Sequence, residues 1–488
     1  MTIKQIVDNV LTYLPEADVK ILRRAYRFAS EAHKEQTRLT GEPYIEHPLE
    51  TAYILSEIKA DLPIVCAGIL HDVPEDTDKT LEDLEKNFGP EIAKLVEGIT
   101  KLGKIKYRGI KRYRENLRKM FLAMAEDPRV ILIKFADRLH NLRTLRGLVK
   151  DKRKRIAQET LEIYAPIAGL LGISSLKWQM EDLCFKELHP KEYEKLRQRY
   201  EIERKAELKE YIAQMKEIAG TKLLQEGIKH ELEGRFKHLY SIWQKMQIKN
   251  RAFDEIHDVF ALRIVVDNVA DCYKSLGVVH SIWRPNYARF KDYIAVPKPN
   301  GYRSIHTTVF GLEGKSTEFQ IRTHKMHEES LYGISAHWYY KQPTGNSPDT
   351  MPKWVKEILE IQRGVATGQD FITEIKFDVF QDRIFVFTPK GDVHDLPRGA
   401  TPIDFAYDIH TDIGNKSVAS RINNRIAPLD QELKNGDVVE IITDQNRAGP
   451  NYDWLSFIKT RRARDKIKQY AKKSRLESIK RFFPGFKK

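Results

Sequence analysis

The sequence predicts a multidomain protein of class α followed by α+β, ending in a small β-rich unit and a basic helical tail. Three observations carry that expectation. Apolar residues recur every three or four positions through the N-terminal part, short β-branched and aromatic runs bounded by Gly, Pro and Asn take over from Gly234, and 488 residues exceed what one core organises.

The helical reading of residues 1–195 rests on ILRRAYRFASEAH, TLEDLEKNFGPEIAKLVEGI and RVILIKFADRLHNLRTL, each with its apolar positions on one helix face. The charged stretch KEYEKLRQRYEIERKAELKEYIAQMKEI reads as a helical connecting arm into a second region, residues 196–370, where ALRIVV, YIAVP and TEFQIRT read as strands. KQPTGNSPDTMP, rich in turn formers, closes that region as a linker, with a short helix expected around Trp354. In residues 371–445, DRIFVFTPKGDVHDLPRGATPIDFAY and DVVEIIT read as a small β-rich domain with one helix, and residues 446–488 as the basic helical tail. Lys459 to Lys488 holds 13 Lys and Arg against Asp465 and Glu477, which is eleven of the formal net charge of +14. The basic excess therefore belongs to the tail, and candidate sites elsewhere must be judged from local residues. Apolar runs such as Val130–Ile133 fall far short of the roughly 18 residues of a membrane span, and Met1 is not followed by a signal-peptide pattern. Cys66, Cys184 and Cys272 are odd in number, far apart and in no CxxC pair, which argues against a disulfide framework or zinc knuckle and for a reducing cytoplasm.

The chemistry-bearing residues fall into two groups. In GILHDVPEDT, Gly68–Thr77, acidic residues suit the first turn of a helix, so the His-Asp pair alone would read as a capped helix start. His47 in PYIEHPLETA and Asp137 in IKFADRLHNLRTL change that, because His47, His71, Asp72 and Asp137 together offer two imidazoles and two carboxylates. That set suits a divalent ion such as manganese and leaves positions open for water and a phosphate oxygen. Glu75 and Asp76 follow His71 and Asp72 by four residues, one helical turn on, where a carboxylate can handle a proton of an attacking water. Asp137, Asn141 and Thr144 are spaced i, i+4 and i+7, so one helix face carries all three.

In the second group, GRFKHLYSIWQKM sets Arg235, Lys237 and Lys245 among aromatics, and ARFKDYIAVPKPNGYRSIHTTV gathers Lys291, Lys298, Asn300, Tyr302 and His306 around a glycine turn. Cations for phosphates and an aromatic face for a base fit a purine nucleotide. TEFQIRT alternates Glu318, Gln320 and Arg322 with Phe319 and Ile321, giving one polar and one apolar face, as half-exposed edge strands also do. Asp258 opens the strand DVFALRIVV, and two carboxylates on neighbouring strands commonly hold magnesium against phosphates.

RLTGEPYIEHP, HDVPEDT and DRLHNLRTL resemble the HD-type hydrolase domain of the RelA/SpoT family, bacterial enzymes that make and degrade guanosine tetra- and pentaphosphate. Ala288–Val309 resembles the same family's nucleotidyltransferase-like synthetase domain, and residues 377–443 its β-grasp TGS domain. The resemblance implies that His47, His71, Asp72 and Asp137 bind manganese, that Glu75 and Asp76 assist the attacking water, and that Arg38, Asn141 and Thr144 hold the nucleotide whose 3′ pyrophosphate is removed. It implies that Asp258 and Glu318 bind magnesium, with Glu318 also drawing the proton of the acceptor 3′ hydroxyl. Arg235, Lys237 and Lys245 would grip ATP; Lys291, Lys298, Asn300 and His306 would hold GDP or GTP, with Tyr302 stacked on guanine. RFKD at Arg289–Asp292 resembles the bifunctional type rather than the acidic variant of synthetase-only members.

Long members of the family continue into helical, zinc-finger or ACT-like regulatory modules, whereas this sequence ends at Lys488. Asn415 stands in DIGNKS where long members carry a histidine that meets tRNA, Gly169 and Leu170 replace a polar residue and an arginine near the domain junction, and Pro74 replaces an aliphatic residue. RNA or ribosome contact would then fall to the TGS domain and basic tail. The alternatives are an RNA-binding regulator with reduced catalytic halves, supported by that tail, or an enzyme with one working half.

Overall fold

The computed structural model describes residues 1–103, 126–200, 205–250, 252–253, 260–298, 300–333, 383–434 and 436–482. Asp258, the KQPTGNSPDTMP linker and the helix expected around Trp354 lie outside the described residues. The chain divides into two units, Met1–Met351 and Pro352–Lys488.

Among the described residues the N-terminal part of the first unit is built of helices, and three of them matter most. Leu62–Leu70 has Pro63 in its first turn and starts behind Asp61, whose carboxylate caps Ile64 N, and from Ile64 to Leu70 every residue is buried. Such a helix stays in place only when wrapped by others. Glu46–Glu57 packs closely on it because position 68 is glycine: a Cβ there would meet Leu55 Cδ1 at 2.5 Å. Arg129–Arg143 buries Val130, Ile131, Leu132, Ile133, Phe135, Ala136 and Leu139 in the same core. The three carry His71, His47 and Asp137 inward. Val73–Asp76 is a single helical turn with Pro74 in its first positions, where a missing N–H is harmless.

Among the described residues the mixed region holds one sheet: β1 (His230–Phe236), β2 (Phe260–Val266), β3 (Lys291–Asp292), β4 (Ile305–Phe310) and β5 (Ser316–Thr323), in spatial order β1-β2-β5-β4-β3. β2 and β5 run parallel, the chain between them passing through the helix Val269–Ile282 and then β3 and β4, and the other pairs are antiparallel. Two expectations need correcting. YIAVP is a turn and not a strand, because the Asp292 carboxylate accepts from the N–H groups of Ile294 and Ala295 and curls the chain. The connecting arm is no bare arm either: its helix Lys205–Gln225 buries Tyr211, Ile212, Met215, Ala219 and Leu223 in the core of the sheet region.

The second unit contains the hairpin β6 (Arg383–Phe387) and β7 (Val393–Pro397), and a sheet of β8 (Ser417–Ile422), β9 (Arg425–Ala427) and β10 (Val439–Thr443). The helix Pro402–Ile409 lies over them, with Phe405 in their core. The buried Asp404 carboxylate accepts from Thr401 N, Lys459 N and Thr460 N, pinning the entry to the basic helix Arg461–Phe482. Asn415 is tied up within this unit, its Oδ1 accepting from Tyr407 Oη at 2.9 Å. No helix among the described residues is long and apolar enough to cross a membrane.

Candidate active sites

In the helical region, the ligand atoms of His47, His71 and Asp137 lie within 4.8 Å of one another. All three residues are buried. Asp72 joins them, with His47 Nε2 at 3.4 Å from Asp72 Oδ2 and 3.3 Å from Asp137 Oδ1, and His71 Nε2 at 3.2 Å from Asp72 Oδ1. His71 Nδ1 sits 2.9 Å from the Gly68 carbonyl, so its hydrogen is there and Nε2 presents a bare lone pair. Burial holds His71 below the ordinary imidazole range, so it stays neutral and its contact with Asp72 is no ion pair. A buried lone pair with no hydrogen-bond donor, facing carboxylates, is an arrangement that wants a cation between its members. The donor set thus fits a divalent metal. In its absence a proton substitutes: burial disfavours the charged form of His47, but hydrogen bonds to Asp137 and Asp72 outweigh that and raise it to about 9.

Around this group, Lys134 Nζ stands 2.7 Å from Asp137 Oδ2, and Asn141 Nδ2 donates to Asp137 Oδ1 at 2.5 Å. Arg38 reaches the same helix, donating to Asn141 Oδ1 at 3.0 Å and to Thr144 Oγ1 at 3.4 Å. Arg38, Asn141 and Thr144 are therefore together beside the metal group. Glu75 and Asp76 stand on the exposed side of the group, and partial desolvation first, then the neighbouring Asp72 and Asp76 carboxylates, raises the Glu75 carboxyl. Tyr44 was missing from the sequence-based set, and its hydroxyl lies 2.9 Å from Asp72 Oδ2 and 2.6 Å from Asp76 Oδ2, tying a ligand to a candidate water handler.

In the sheet region, strand register makes one polar face. Arg235 lies opposite Ala261, Arg263 opposite both Glu233 and Gln320, Glu318 opposite Ala261 and Thr308, and His306 opposite Gln320 and Lys291. β5 is central rather than an edge, so its polar residues are enclosed, Arg322 at 1% exposure and Gln320 at 5%. Nε of Arg263 and of Arg322 is buried without a partner, and burial chiefly, with Arg263 and Arg235 nearby, lowers Arg322 to about 9. Cations crowded this way suit a polyanion. Glu318 is held to about 2 despite its burial, by the His306 hydrogen bond and the charges of His306 and Lys237. His306 Nδ1 is 3.1 Å from Glu318 Oε1 and its Nε2 is 2.8 Å from Tyr302 Oη, so one imidazole joins the carboxylate to the tyrosine. Lys298 Nζ lies 5.2 Å from the centre of the Tyr302 ring, Lys245 stands on the helix Leu239–Lys249, and Lys291 is exposed on β3. The Asn300 side chain turns elsewhere: its Nδ2 donates to Gly169 O in the helical region at 3.0 Å.

The HD domain family matches residues 25–174, the region found in RelA / SpoT proteins matches residues 234–345, and the TGS domain family matches residues 384–443. A guanosine-3′,5′-bis(diphosphate) 3′-pyrophosphohydrolase of Aquifex aeolicus is 48% identical over 478 residues, covering 98% of this chain and 68% of the relative. The chain belongs to the RelA/SpoT family. Two further RelA/SpoT relatives are the bifunctional (p)ppGpp synthase/hydrolase SpoT of Escherichia coli, 47% identical over 95% of this chain, and a GTP pyrophosphokinase of Myxococcus xanthus, 45% identical over 96%. The chain spans 66% and 62% of those two proteins' lengths.

Within this RelA/SpoT chain, sequence reasoning missed Tyr44, His140 and Arg263, and it put Arg322 on the polar face of its strand without giving it a role. Tyr44 and His140 sit inside motifs that were read for their neighbours. Arg263 hides in the apolar run FALRIVV, where a lone arginine in a central strand was itself the signal.

Proposed function

We propose that the chain carries two opposed activities. One transfers pyrophosphate from ATP to the 3′ hydroxyl of GDP or GTP and releases AMP. The other hydrolyses the 3′ pyrophosphate of guanosine tetra- or pentaphosphate to GDP or GTP and pyrophosphate. The observation that carries this reading is that a buried His47, His71, Asp137 group and an enclosed cationic sheet face around Glu318 occur in one chain. The activities for which the Aquifex, Escherichia and Myxococcus relatives are named supply the substrates. We assign hydrolysis to residues 1–195, synthesis to 196–370, and the TGS domain to 371–445.

For hydrolysis, His47, His71, Asp72 and Asp137 would hold manganese, which supplies a Lewis acid that lowers the pKa of water. Arg38, Asn141 and Thr144 hold the nucleotide. Glu75 and Asp76, exposed beside the group, receive the proton of the attacking water, and Tyr44 keeps Asp76 aligned with Asp72. The phosphorus–oxygen bond to the 3′ oxygen breaks, and that oxygen takes up a proton.

For synthesis, Glu318 is ionised and takes the proton of the acceptor 3′ hydroxyl. That oxygen attacks the β phosphorus of ATP in line, the bond to the α phosphate oxygen breaks, and AMP leaves with the electron pair. Arg235, Lys237 and Lys245 bear on ATP; Lys291, Lys298, Asn300 and His306 on GDP or GTP; Tyr302 on guanine. Glu318, with Asp258, would hold magnesium. Most of the acceleration comes from positioning and charge neutralisation. For Asn300 to join the site, it must leave Gly169 O.

RNA contact by the TGS domain and tail rests on charge alone and predicts a strong salt dependence. Three buried free thiols suit a cytoplasmic enzyme. The test is to incubate the chain with ATP, GDP and magnesium, and separately with guanosine tetraphosphate and manganese, and to resolve the nucleotides. AMP with guanosine tetraphosphate in the first, and GDP with pyrophosphate in the second, are the expected products; absence of both pairs sinks the reading.

A further inference from the structure

His140 belongs to no ligand set, yet it is buried against the metal group with its Nδ1 2.6 Å from His47 Nδ1 and 3.1 Å from Arg38 Nη1. A guanidinium only donates hydrogen bonds. His140 Nδ1 is therefore the shared acceptor and carries no hydrogen. The short contact between the two rings then requires the hydrogen on His47 Nδ1. A neutral His47 so protonated has its lone pair on Nε2, the nitrogen that faces Asp72 and Asp137. The reverse tautomer would put a hydrogen where a cation must sit. On its other side Arg38 donates to Asn141 Oδ1, and Asn141 Nδ2 donates to Asp137 Oδ1. One guanidinium thus reaches two of the candidate ligands, each through a single intermediate side chain.

We infer that His140 and Arg38 are positioning residues of the metal centre: Arg38, through His140 and Asn141, sets the tautomer of His47 and the orientation of Asp137 before any nucleotide is bound. This rests on the hydrolase reading, in which Arg38 serves the nucleotide alone. Partners one step behind metal ligands commonly govern affinity by tenfold to a hundredfold. Arg38 is then shared between metal and substrate, so occupancy of one is linked to affinity for the other.

The test uses manganese alone, titrated into the metal-free full chain without nucleotide and followed by the electron paramagnetic resonance signal of free Mn²⁺. His140→Phe fills the space without an acceptor and weakens binding by about tenfold to a hundredfold. His140→Gln restores an acceptor and recovers most of the affinity, which a merely space-filling role would not produce. Arg38→Met keeps the stem, removes the donors and weakens binding by about threefold to tenfold although no nucleotide is present. Melting temperatures accompany each titration, and if His140→Phe fails to fold, His140→Gln against Arg38→Met decides. Wild-type manganese affinity in the Arg38 and His140 variants overturns the inference. A wild-type chain that binds no manganese overturns the metal reading beneath it, a separate result.

Discussion

The helical and sheet sites are built on opposite chemistry for what we propose is one task, the handling of phosphates. In the first, lone pairs and carboxylates face one another on three helices with burial near complete, so the missing component is a cation. In the second, Arg235, Arg263, Arg322 and Lys237 outnumber the carboxylates beside them, Glu318 and Glu233, the latter 2.9 Å from Arg263 Nη1, so the face suits an anion. Helices suit the first because a ligand set needs only a few inward positions from separate elements, each fixed by a packed face. A sheet suits the second because period-two alternation repeats one polar face across adjacent strands, giving an extended platform. The difference teaches that net charge of the chain says little about either; each is set by the groups packed locally around it.

That contrast can be broken at several points. The largest effect falls on Glu318→Gln, which lowers synthesis about a hundredfold to a thousandfold while hydrolysis is unchanged, measured by AMP release and by GDP release from guanosine tetraphosphate. Equal loss of both would mean the sites are not separate. Asn141→Ala removes the donor to Asp137 and lowers hydrolysis about tenfold to a hundredfold, with synthesis unchanged in the paired assay. Tyr302→Phe keeps the ring but removes the hydroxyl from His306. It lowers kcat for synthesis about threefold to tenfold with little change in KM for GDP, and a raised KM alone would assign Tyr302 to stacking only.

The smallest effect is on stability with pH. His47 is raised to about 9 in the metal-free fold, so its contribution is complete below pH 6.5 and is lost as pH rises to 9. His238 and His327 in the sheet region are lowered to about 4, chiefly by burial, so their neutral forms favour folding above pH 6.5 and this is lost as pH falls toward 4. Hydrogen exchange, corrected for intrinsic rate, should loosen the helix Glu46–Glu57 between pH 7 and 9 and leave β4 and β5 unchanged. Manganese should abolish the first change.

Much of this was legible in the sequence because the motifs are local. His71 and Asp72 are adjacent, and Asp137, Asn141 and Thr144 share a helix face, so their spacing, taken together with His47 and the resemblance of the three motifs, suggested one site. What stayed hidden depends on where a ring nitrogen or hydroxyl ends up after packing. His140 lies in DRLHNLRTL, yet only the arrival of Arg38 and His47 from distant segments gives its Nδ1 a task. YIAVP has strand-like composition, but the Asp292 carboxylate captures its N–H groups first. The charged arm concealed apolar positions 211, 212, 215, 219 and 223, a spacing that already marked a buried face. TEFQIRT showed its alternation, whereas its central place depended on long-range pairing with β2.

The most direct measurement is nucleotide resolution on the Asp72→Ala chain, given ATP, GDP and magnesium in one reaction and guanosine tetraphosphate with manganese in another. Two separate centres predict AMP and guanosine tetraphosphate at the wild-type rate in the first and no GDP in the second. Loss of both reactions, or of neither, would contradict the account.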